Sequence, residues 1–347
     1  MPNESIDASR LHFPVKSSGA GPIGRARAVL AFAFSCAVVS SACAQSPSAD
    51  GLYPPWQRGA NNPAATKGFE FTVPEADNLA DFHGDLQDPK FVIYLGGNSF
   101  FTMAPLVQAF EKQHPEYRGR IYFETLPPGV LVKQLAAGGT ITVGNMTWTA
   151  RPDVYFAGLG AIQTMIDKGT LTGPPVAYVT NELAIMVGKG NPKQIRNLAD
   201  LARPDVRLAM PNIQFEGVAR QIQQSLVKAG GDDLKRAVYD TKVQDGSTRL
   251  TQIHHRQTPL FIMQGKVYAG VTWQSEVAFQ EQAGHPIETV AIAAAQNTTA
   301  IYAGARVPGA AHAQAAADWL RFIASDEAFA IFERYGFKRY AGLAPVR

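Results

Sequence analysis

The sequence predicts an α/β fold organised in two lobes, with a parallel or mixed sheet and helices on both of its faces. Three observations predict this fold. Residues 91–123 read as a buried strand, a small polar loop, an amphipathic helix and a second strand, which is the repeating unit of a parallel sheet. The same order of elements recurs along the chain in two series. A length of 347 residues also exceeds what a single hydrophobic core usually serves.

The first unit contains a candidate binding loop. Residues 91–95 (FVIYL) form an apolar run typical of a strand buried on both faces. Residues 96–99 form a polar turn, and residues 100–113 carry apolar side chains at helical spacing. The free amides and positive dipole at a helix start suit an anion or a polar ligand group. The ligand-binding candidates of this loop are Asn98, Ser99 and Phe100. Plain helix capping by asparagine and serine is the alternative.

The rest of the first series alternates in the same way. A helix is predicted over 130–137, a strand over 152–157, a helix over 161–168 and a long strand over 177–187. Gly138, Gly139 and Gly169 stand where the helices end. Thr180 and Asn181 interrupt the long strand with polar side chains, which predicts a hinge, and Asn181 is also a ligand-binding candidate.

The second series then begins. Helical segments are predicted over 197–202, 217–229, 234–239, 275–283, 310–325 and 326–335, and strands over 206–210, 268–273, 287–293 and 299–303. Residues 249–263 fit either a helix or a loop.

The N-terminus reads as a secretory signal peptide over residues 1–44. Basic side chains precede an apolar stretch over 28–39, and Ala42-Cys43-Ala44 fits the small-x-small cleavage rule. Both cysteines, Cys36 and Cys43, lie inside this segment, so the mature chain would have none, which suits a bacterial periplasm. Lipid anchoring at Cys43 is an alternative.

Residues 45–89 are predicted to form an N-terminal arm. They contain several prolines and glycines and show weak periodicity. Their large apolar side chains need a surface to pack against, which predicts an ordered arm wrapped around the domain. A partly disordered leader is the alternative.

Four stretches carry a resemblance to a known family. They are residues 110–115 (FEKQHP), 187–192 (VGKGNP) followed by 198–201 (LADL), 264–266 (QGK) with 269–271 (AGV), and 315–337, which end in WLRFIASDEAFAIFERYGF. In this order they resemble periplasmic solute-binding proteins of the type II fold, with the closest likeness to the molybdate- and tungstate-binding branch.

The resemblance implies two α/β lobes joined by two extended crossovers. Lobe one would combine residues 90–180 with 295–347, and lobe two would comprise 181–294. The crossovers would run near Thr180 and Asn181 and over 292–299. The ligand would lie between the lobes, where hinge closure buries it.

Departures from the family pattern concern the ligand loops. The family holds its oxyanion with hydroxyl groups and backbone amides, whereas the second loop here is Leu126-Pro127-Pro128-Gly129. Prolines cannot donate hydrogen bonds, so Gly129 is the ligand-binding candidate of this loop.

The third loop places a carboxylate at a helix start. Its candidates are Phe215, Glu216 and Gly217. An acidic residue there also stabilises the helix, so a capping role is the alternative. A Glu216 carboxylate facing the ligand would repel a bare oxyanion and favour a cation, an amine or a hydroxylated ligand.

Residues 254–256 have no counterpart in the family pattern. The side chains of His254, His255 and Arg256 are candidates for holding a carboxylate or an oxyanion. Two alternatives are a solvated surface loop and imidazole binding to a metal. The site prediction assigns no metal ligand, since the His-His pair lacks the spacing of a zinc site.

Trp273 and Ser275 lie where a strand passes into a helix, which is the ligand side of an open α/β sheet. Both are ligand-binding candidates, with core packing as the alternative for Trp273.

Composition and motifs exclude several function classes. The formal charge of +3 provides no basic field for nucleic acid. The sequence contains no G-x-S-x-G, HExxH, Walker or G-x-G-x-x-G motif, so no enzyme and no cofactor are predicted.

The sequence therefore predicts an exported, monomeric solute-binding protein. It would capture a small solute, first of all a molybdate-like oxyanion, and present it to the membrane permease of an ABC importer. The alternatives are a periplasmic ligand-sensing or interaction protein, and a carrier of a metal or a small organic solute.

Overall fold

The computed structural model describes residues 81–143, 146–214, 216–251 and 255–342. The predicted signal peptide, most of the predicted arm, and the candidates Phe215 and His254 lie outside the described residues.

The strands alternate with helices, as the apolar runs predict. The strands are Phe82–Gly84 (β1), Phe91–Leu95 (β2), Ile121–Glu124 (β3), Thr140–Val143 (β4), Met146–Thr149 (β5), Val154–Gly158 (β6), Thr172–Gly188 (β7), Leu208–Met210 (β8), Thr248–Leu250 (β9), Ala269–Trp273 (β10), Ile287–Ala291 (β11), Thr299–Arg306 (β12) and Lys338–Arg339 (β13).

The helices fill the intervals between strands. The α-helices are Phe100–Gln113 (α1), Pro128–Ala136 (α2), Leu159–Asp167 (α3), Val218–Arg236 (α4), Gln257–Met263 (α5), Gln274–Gln282 (α6), Ala313–Ile323 (α7) and Asp326–Glu333 (α8). Short 3₁₀ turns cover Gly97–Ser99, Pro115–Tyr117 and Leu198–Ala202, and a π-helical segment, Ala237–Thr241, leads into the turn Lys242–Gln244.

One mixed sheet runs through the molecule in the order β1-β3-β2-β6-β12-β7-β10-β8-β9, with β11 and β13 also paired to β7. β2 is parallel to β3 and β6, and β8 is parallel to β9 and β10. β7 is antiparallel to both β12 and β10. Two parallel halves are therefore joined through the antiparallel strands β12 and β7.

Each half has its own hydrophobic core. In the first half, Phe91, Phe110 and Trp319 form one cluster, while Val92 and Tyr94 belong to a second cluster on the opposite face of the sheet. This alternation buries β2 on both faces, as its continuous apolar run predicts. In the other half, the apolar face of α4 packs on β8 and β10. Separate hydrophobic clusters in the two halves are what a two-lobed fold requires.

β7 passes from one half of the sheet to the other within a single strand of 17 residues. Its first part pairs with β12 as far as Glu182, and from Leu183 it pairs with β10. At this point the Asn297 side chain accepts from the Leu183 amide at 3.1 Å and donates to the Leu183 carbonyl at 2.8 Å. Asn297 lies between β11 and β12, so it ties the second crossover to the first.

The helix predicted over 217–229 ends where the structure has a kink. Gly230 and Gly231 have non-helical backbone angles, with Gly231 at φ 70°, and a second helical piece continues to Arg236. Glycine adopts this left-handed conformation without steric cost, so it bends the chain here. The prediction also lacks the β4–β5 hairpin, in which Thr140 and Thr149 bond through their hydroxyls at 2.8 Å.

The end of the predicted arm is ordered. β1 pairs antiparallel with β3, and the Phe82 ring packs edge-on against Trp148 at 4.7 Å between centroids. Every helix within the described parts of the chain is too short or too polar to cross a membrane.

Candidate functional site

Three helices begin at one edge of the first half of the sheet. β2, β3 and β6 are parallel, so their carboxyl ends share this edge. The chain leaves these strands through Gly97–Ser99 into α1, through Pro127 into α2, and through Gly158 into α3. In the second half, Gly217 opens α4 and Trp273 opens α6.

These helix starts enclose a cavity of about 150 Å³, which we call the inner cavity. Its lining is Gly97, Asn98, Pro127, Pro128, Gly158, Glu216, Gly217, Val218, Gln221, His255, Trp273, Ala300 and Tyr302. Residues from both halves of the sheet contribute to this lining.

A larger space of about 1070 Å³, the outer cleft, adjoins the inner cavity. The two share Glu216, Gly217 and Gln221 from the second half and Pro128 and Gly158 from the first. The shared residues place the inner cavity directly beside the outer cleft.

The first loop supplies a polar side chain without a protein partner. The Asn98 Nδ2 group is buried and has no hydrogen-bond partner among the described residues. No side chain caps α1 at its N-cap Ser99. An unpaired buried amide beside an uncapped helix start is a donor set suited to an anion.

The second loop offers fewer donors. Pro127 and Pro128 stand at the N-cap and first position of α2, and neither has an amide hydrogen. Gly129, the next residue, is therefore the first with an N–H group, and it lines the outer cleft.

Glu216 is buried, with 7% of its surface exposed, and both of its oxygens accept hydrogen bonds. Oε1 accepts from the Thr251 hydroxyl. Oε2 accepts from the His255 backbone amide and lies 2.9 Å from His255 Nδ1. The carboxylate thereby fixes the imidazole at the wall of the inner cavity.

A second carboxyl group lies on the other side of the imidazole. His255 Nε2 is 3.9 Å from Glu276 Oε2. Burial raises the pKa of Glu276, against the opposing effect of His255 and Arg256. Gln280 Nε2 donates to Glu276 Oε1 at 3.3 Å.

Arg256 forms a partly buried ion pair and is not among the residues that line the inner cavity. Its Nη2 lies 3.0 Å from Asp81 Oδ1, and its guanidinium stacks 4.9 Å from the Phe100 ring centroid. Phe100 also packs against Phe101 and Phe279. These contacts account for the absence of Phe100 and Arg256 from the cavity lining.

The apolar wall consists of Trp273 and Tyr302, whose rings meet edge to face at 6.1 Å. Behind it, Asn181 Nδ2 donates to Ser275 Oγ at 2.7 Å. Burial raises the pKa of the Tyr302 hydroxyl.

The structure thus brings several predicted residues together. Asn98, Glu216, Gly217, His255 and Trp273 line the inner cavity, and Gly129 lines the outer cleft. Ser99, Phe100, Asn181, Arg256 and Ser275 are not among the lining residues of either space. Their direct contact with a ligand stays a prediction, as does that of Phe215 and His254. In the part of the chain that the structure describes, no group of three His, Cys, Asp or Glu side chains is placed to hold a metal ion.

Sequence reasoning missed Gln221 and Tyr302. Gln221 follows Gly217 by one helical turn, so helical spacing puts both on one face of α4. Tyr302 lies on β12 next to the second crossover, and only the strand pairing brings it to the cavity.

Comparison with known proteins gives a family match over residues 91–338, well over half of the chain, to bacterial extracellular solute-binding proteins. The chain is also 30% identical over 128 residues to the molybdate-binding protein ModA of Mycobacterium tuberculosis H37Rv, covering 36% of this chain and 47% of that protein. The chain therefore spans about half the length of the curated relatives it matches.

Solved structures share the fold. The sulfate-binding protein SubI from Mycobacterium tuberculosis H37Rv aligns with a TM-score of 0.58 and 18% identity, covering 74% of this chain and 88% of SubI. The periplasmic molybdate-binding protein of Azotobacter vinelandii aligns with a TM-score of 0.57 and 17% identity, covering 71% of this chain and 98% of that one. At this identity the likeness concerns the fold alone, and it confirms the two-lobed type II fold. The relatives are solute-binding proteins and not enzymes, which confirms that prediction as well.

Proposed function

The chain belongs to the family of bacterial extracellular solute-binding proteins, and from this premise we propose that it captures a small oxyanion of the molybdate or sulfate type in the inner cavity. One observation carries the proposal. The starts of α1, α2 and α4 and the unpartnered Asn98 amide together line a cavity of about 150 Å³. Backbone amides and helix dipoles at such starts can bind an anion even where no positively charged side chain is present.

The relatives support an oxyanion. The similar proteins described above are named for binding molybdate and sulfate. These two anions have the same charge and a compact shape that fits a small cavity. The outer cleft would serve as the route of entry.

Glu216 does not exclude an anion from the cavity. The sequence suggested that a carboxylate at this helix start would repel one. Both carboxylate oxygens, however, accept hydrogen bonds from Thr251 and His255, which spread the negative charge over their donors.

The two lobes would close on the bound anion. The division into residues 90–180 with 295–347 and residues 181–294 agrees with the change of partner along β7 at Leu183. Bending at this point and at Asn297 would bring the α1 and α4 starts together around the ligand.

The protein would act outside the cytoplasm as the binding component of an ABC importer. In this proposal residues 1–44 are a signal peptide cleaved after Ala44, and the mature monomer delivers the anion to a membrane permease in the periplasm.

Titration calorimetry of the full mature chain with molybdate, tungstate and sulfate tests the function. Asn98→Ala should weaken binding of the preferred anion by about 10- to 100-fold, because a hydrogen bond to a charged group contributes about 1.5–3 kcal/mol. Gln163→Ala is the matched control, since Gln163 lines only the outer cleft, and it should bind as the unaltered protein does. If none of the three anions gives binding heat or a thermal shift, the proposed function is wrong.

A further inference from the structure

The outer cleft is much larger than a single inorganic anion requires. It encloses about 1070 Å³, against about 150 Å³ for the inner cavity beside it. Sites for organic ligands usually enclose about 300–1,000 Å³. The two spaces share Pro128 and Gly158 from the first half and Glu216, Gly217 and Gln221 from the second. A ligand held by one end in the inner cavity can therefore extend into the outer cleft.

The outer cleft carries apolar side chains from both halves of the sheet. Leu159 at the start of α3 and Tyr340 after β13 belong to the first half, and Ile213 precedes α4 in the second. Ile213 is left 41% exposed. An inorganic anion gains nothing from apolar contacts, whereas a carbon chain that covers these side chains removes apolar surface from water. The lining therefore suits a ligand with an organic part.

Arg220 brings a positive charge into the outer cleft. It lines the cleft, is exposed, and its side chain forms no hydrogen bond or ion pair with another described residue. A guanidinium group is planar and can donate two parallel hydrogen bonds to a carboxylate. Glu216 is the other charged residue that the described part of the chain contributes to this lining, and its two oxygens already accept hydrogen bonds from Thr251 and His255. Arg220 is therefore available to a second acid group on the ligand.

The spacing along α4 sets the length of such a ligand. Gly217, Arg220 and Gln221 are three and four positions apart and lie on one face of the helix. Gly217 and Gln221 line both spaces, whereas Arg220 lines only the outer cleft. Three residues span about 4.5 Å along a helix axis, and a C–C bond is about 1.5 Å long. A spacer of about one or two carbon atoms, together with the reach of the arginine side chain, therefore bridges the two positions.

We propose that the natural ligand is a small organic acid with two anionic ends. A tetrahedral oxyanion head, such as a sulfonate or a phosphonate, binds in the inner cavity, and a carboxylate at the other end pairs with Arg220 in the outer cleft. The short carbon chain between them contacts Leu159 and Ile213. This inference rests on the oxyanion-binding function proposed above and adds the chemical class of the ligand.

Titration calorimetry of the full mature chain with two matched pairs of probes tests the inference, in a buffer free of sulfate, phosphate and carboxylic acids. Sulfoacetate is paired with ethanesulfonate, and phosphonoacetate with ethylphosphonate. Within each pair the head is the same and a carboxylate replaces a methyl group. The carboxylate should tighten binding by about 5- to 50-fold, because a hydrogen bond between charged groups contributes more than one between neutral groups. The pair that binds identifies the head.

The possible results separate the ligand class from the function on which it rests. Equal affinity within each pair, or binding of sulfate without binding of any organic probe, would overturn the inference and leave the oxyanion function standing. Binding of a carboxylate-bearing probe without binding of sulfate or molybdate would support the inference and replace the inorganic ligand by an organic one. Absence of binding for every anion would contradict the function itself and the inference with it.

Variants locate the carboxylate of the ligand. Arg220→Gln keeps a long polar side chain without the charge. It should reduce the difference within each pair to less than about twofold and leave the affinity for sulfate within about twofold of the unaltered protein. Arg236→Gln is the matched control, because Arg236 is an exposed residue at the other end of α4 and lines neither space. It should retain the full difference. A folded Arg220→Gln protein that keeps the full difference, or that loses affinity equally for both members of a pair, would overturn the pairing with Arg220.

Discussion

Glu124 is a buried acid whose protonation depends on its surroundings in the fold. Glu124 ends β3 and is fully buried. Its Oε1 accepts hydrogen bonds from the Tyr122 hydroxyl at 2.8 Å and from Gln134 Nε2 at 2.9 Å. Burial raises the pKa of Glu124 to about 7, although these two donors act in the opposite direction.

The raised pKa makes the stability of the fold depend on pH through this residue. The contribution of the protonated group is fully present below the ordinary pKa of 4.5 and is lost as the pH rises through about 7. Glu124→Gln reproduces the neutral form at every pH. Relative to the unaltered protein, the variant should gain roughly 1–3 kcal/mol in the free energy of unfolding between pH 5 and pH 8.

Urea unfolding at the two pH values measures this difference. Glu333→Gln is the control, since Glu333 is exposed and its replacement should change stability by less than about 0.5 kcal/mol at either pH. An equal effect of Glu124→Gln at pH 5 and pH 8 would contradict the assigned protonation.

At the scale of elements, close packing on β12 fixes the middle of the sheet. A Cβ atom on Gly304 would lie 2.1 Å from Cε1 of the Phe156 ring on the paired strand β6. Phe156 is buried in the core, so its ring has little freedom to move away. Glycine is therefore required here because of the close approach of the ring.

Gly304→Ala should lower the free energy of unfolding by about 1–3 kcal/mol or more, as overpacking in a core does. Gly160→Ala is the matched control, because Gly160 lies in α3 and a Cβ there meets no atom within 4 Å. That change should leave stability unchanged or raise it by up to about 1 kcal/mol. Similar melting temperatures for the two variants would contradict the packing argument.

The elements with a continuous pattern could be predicted from the sequence. α1 has the predicted bounds, Phe100–Gln113, and β2 has the predicted bounds, Phe91–Leu95, since apolar spacing and a polar turn mark both. The β4–β5 hairpin carried a weaker signal, since four-residue strands offer too few positions for a period to show.

The candidate site could be predicted only in part. A helix start is a local pattern, so Asn98 and Glu216 were found from their position alone. The bonds from Glu216 to Thr251 and His255 join residues 35 and 39 positions apart, and no local pattern specifies such partners. The ion pair of Arg256 with Asp81 likewise depends on a contact across 175 positions.

At the scale of the whole molecule, the proposed function requires the two lobes to approach each other around the anion. Small-angle X-ray scattering should therefore show a smaller radius of gyration for the mature chain with saturating ligand than without it. The melting temperature should rise by several degrees, because a ligand at 100 times its dissociation constant stabilises the native state by about 2.7 kcal/mol.

Asn98→Ala provides the control for closure. At an anion concentration about three times the dissociation constant of the unaltered protein, a site that binds 10- to 100-fold more weakly is at most about one-quarter occupied. The scattering curve of the variant should then stay closer to that of the ligand-free protein than the curve of the unaltered protein does. A binding heat without any change in the radius of gyration would contradict lobe closure but not anion binding.

The double hydrogen bond between Asn297 and Leu183 has a mechanical consequence. An amide side chain that both accepts from and donates to one residue's main chain reproduces the pairing of a neighbouring strand. The two crossover segments are thereby held side by side at one point. This contact resists twisting of one segment relative to the other but permits the two segments to bend together. The two lobes would then rotate relative to each other about a single hinge axis, and the anion would enter and leave from one side of the protein.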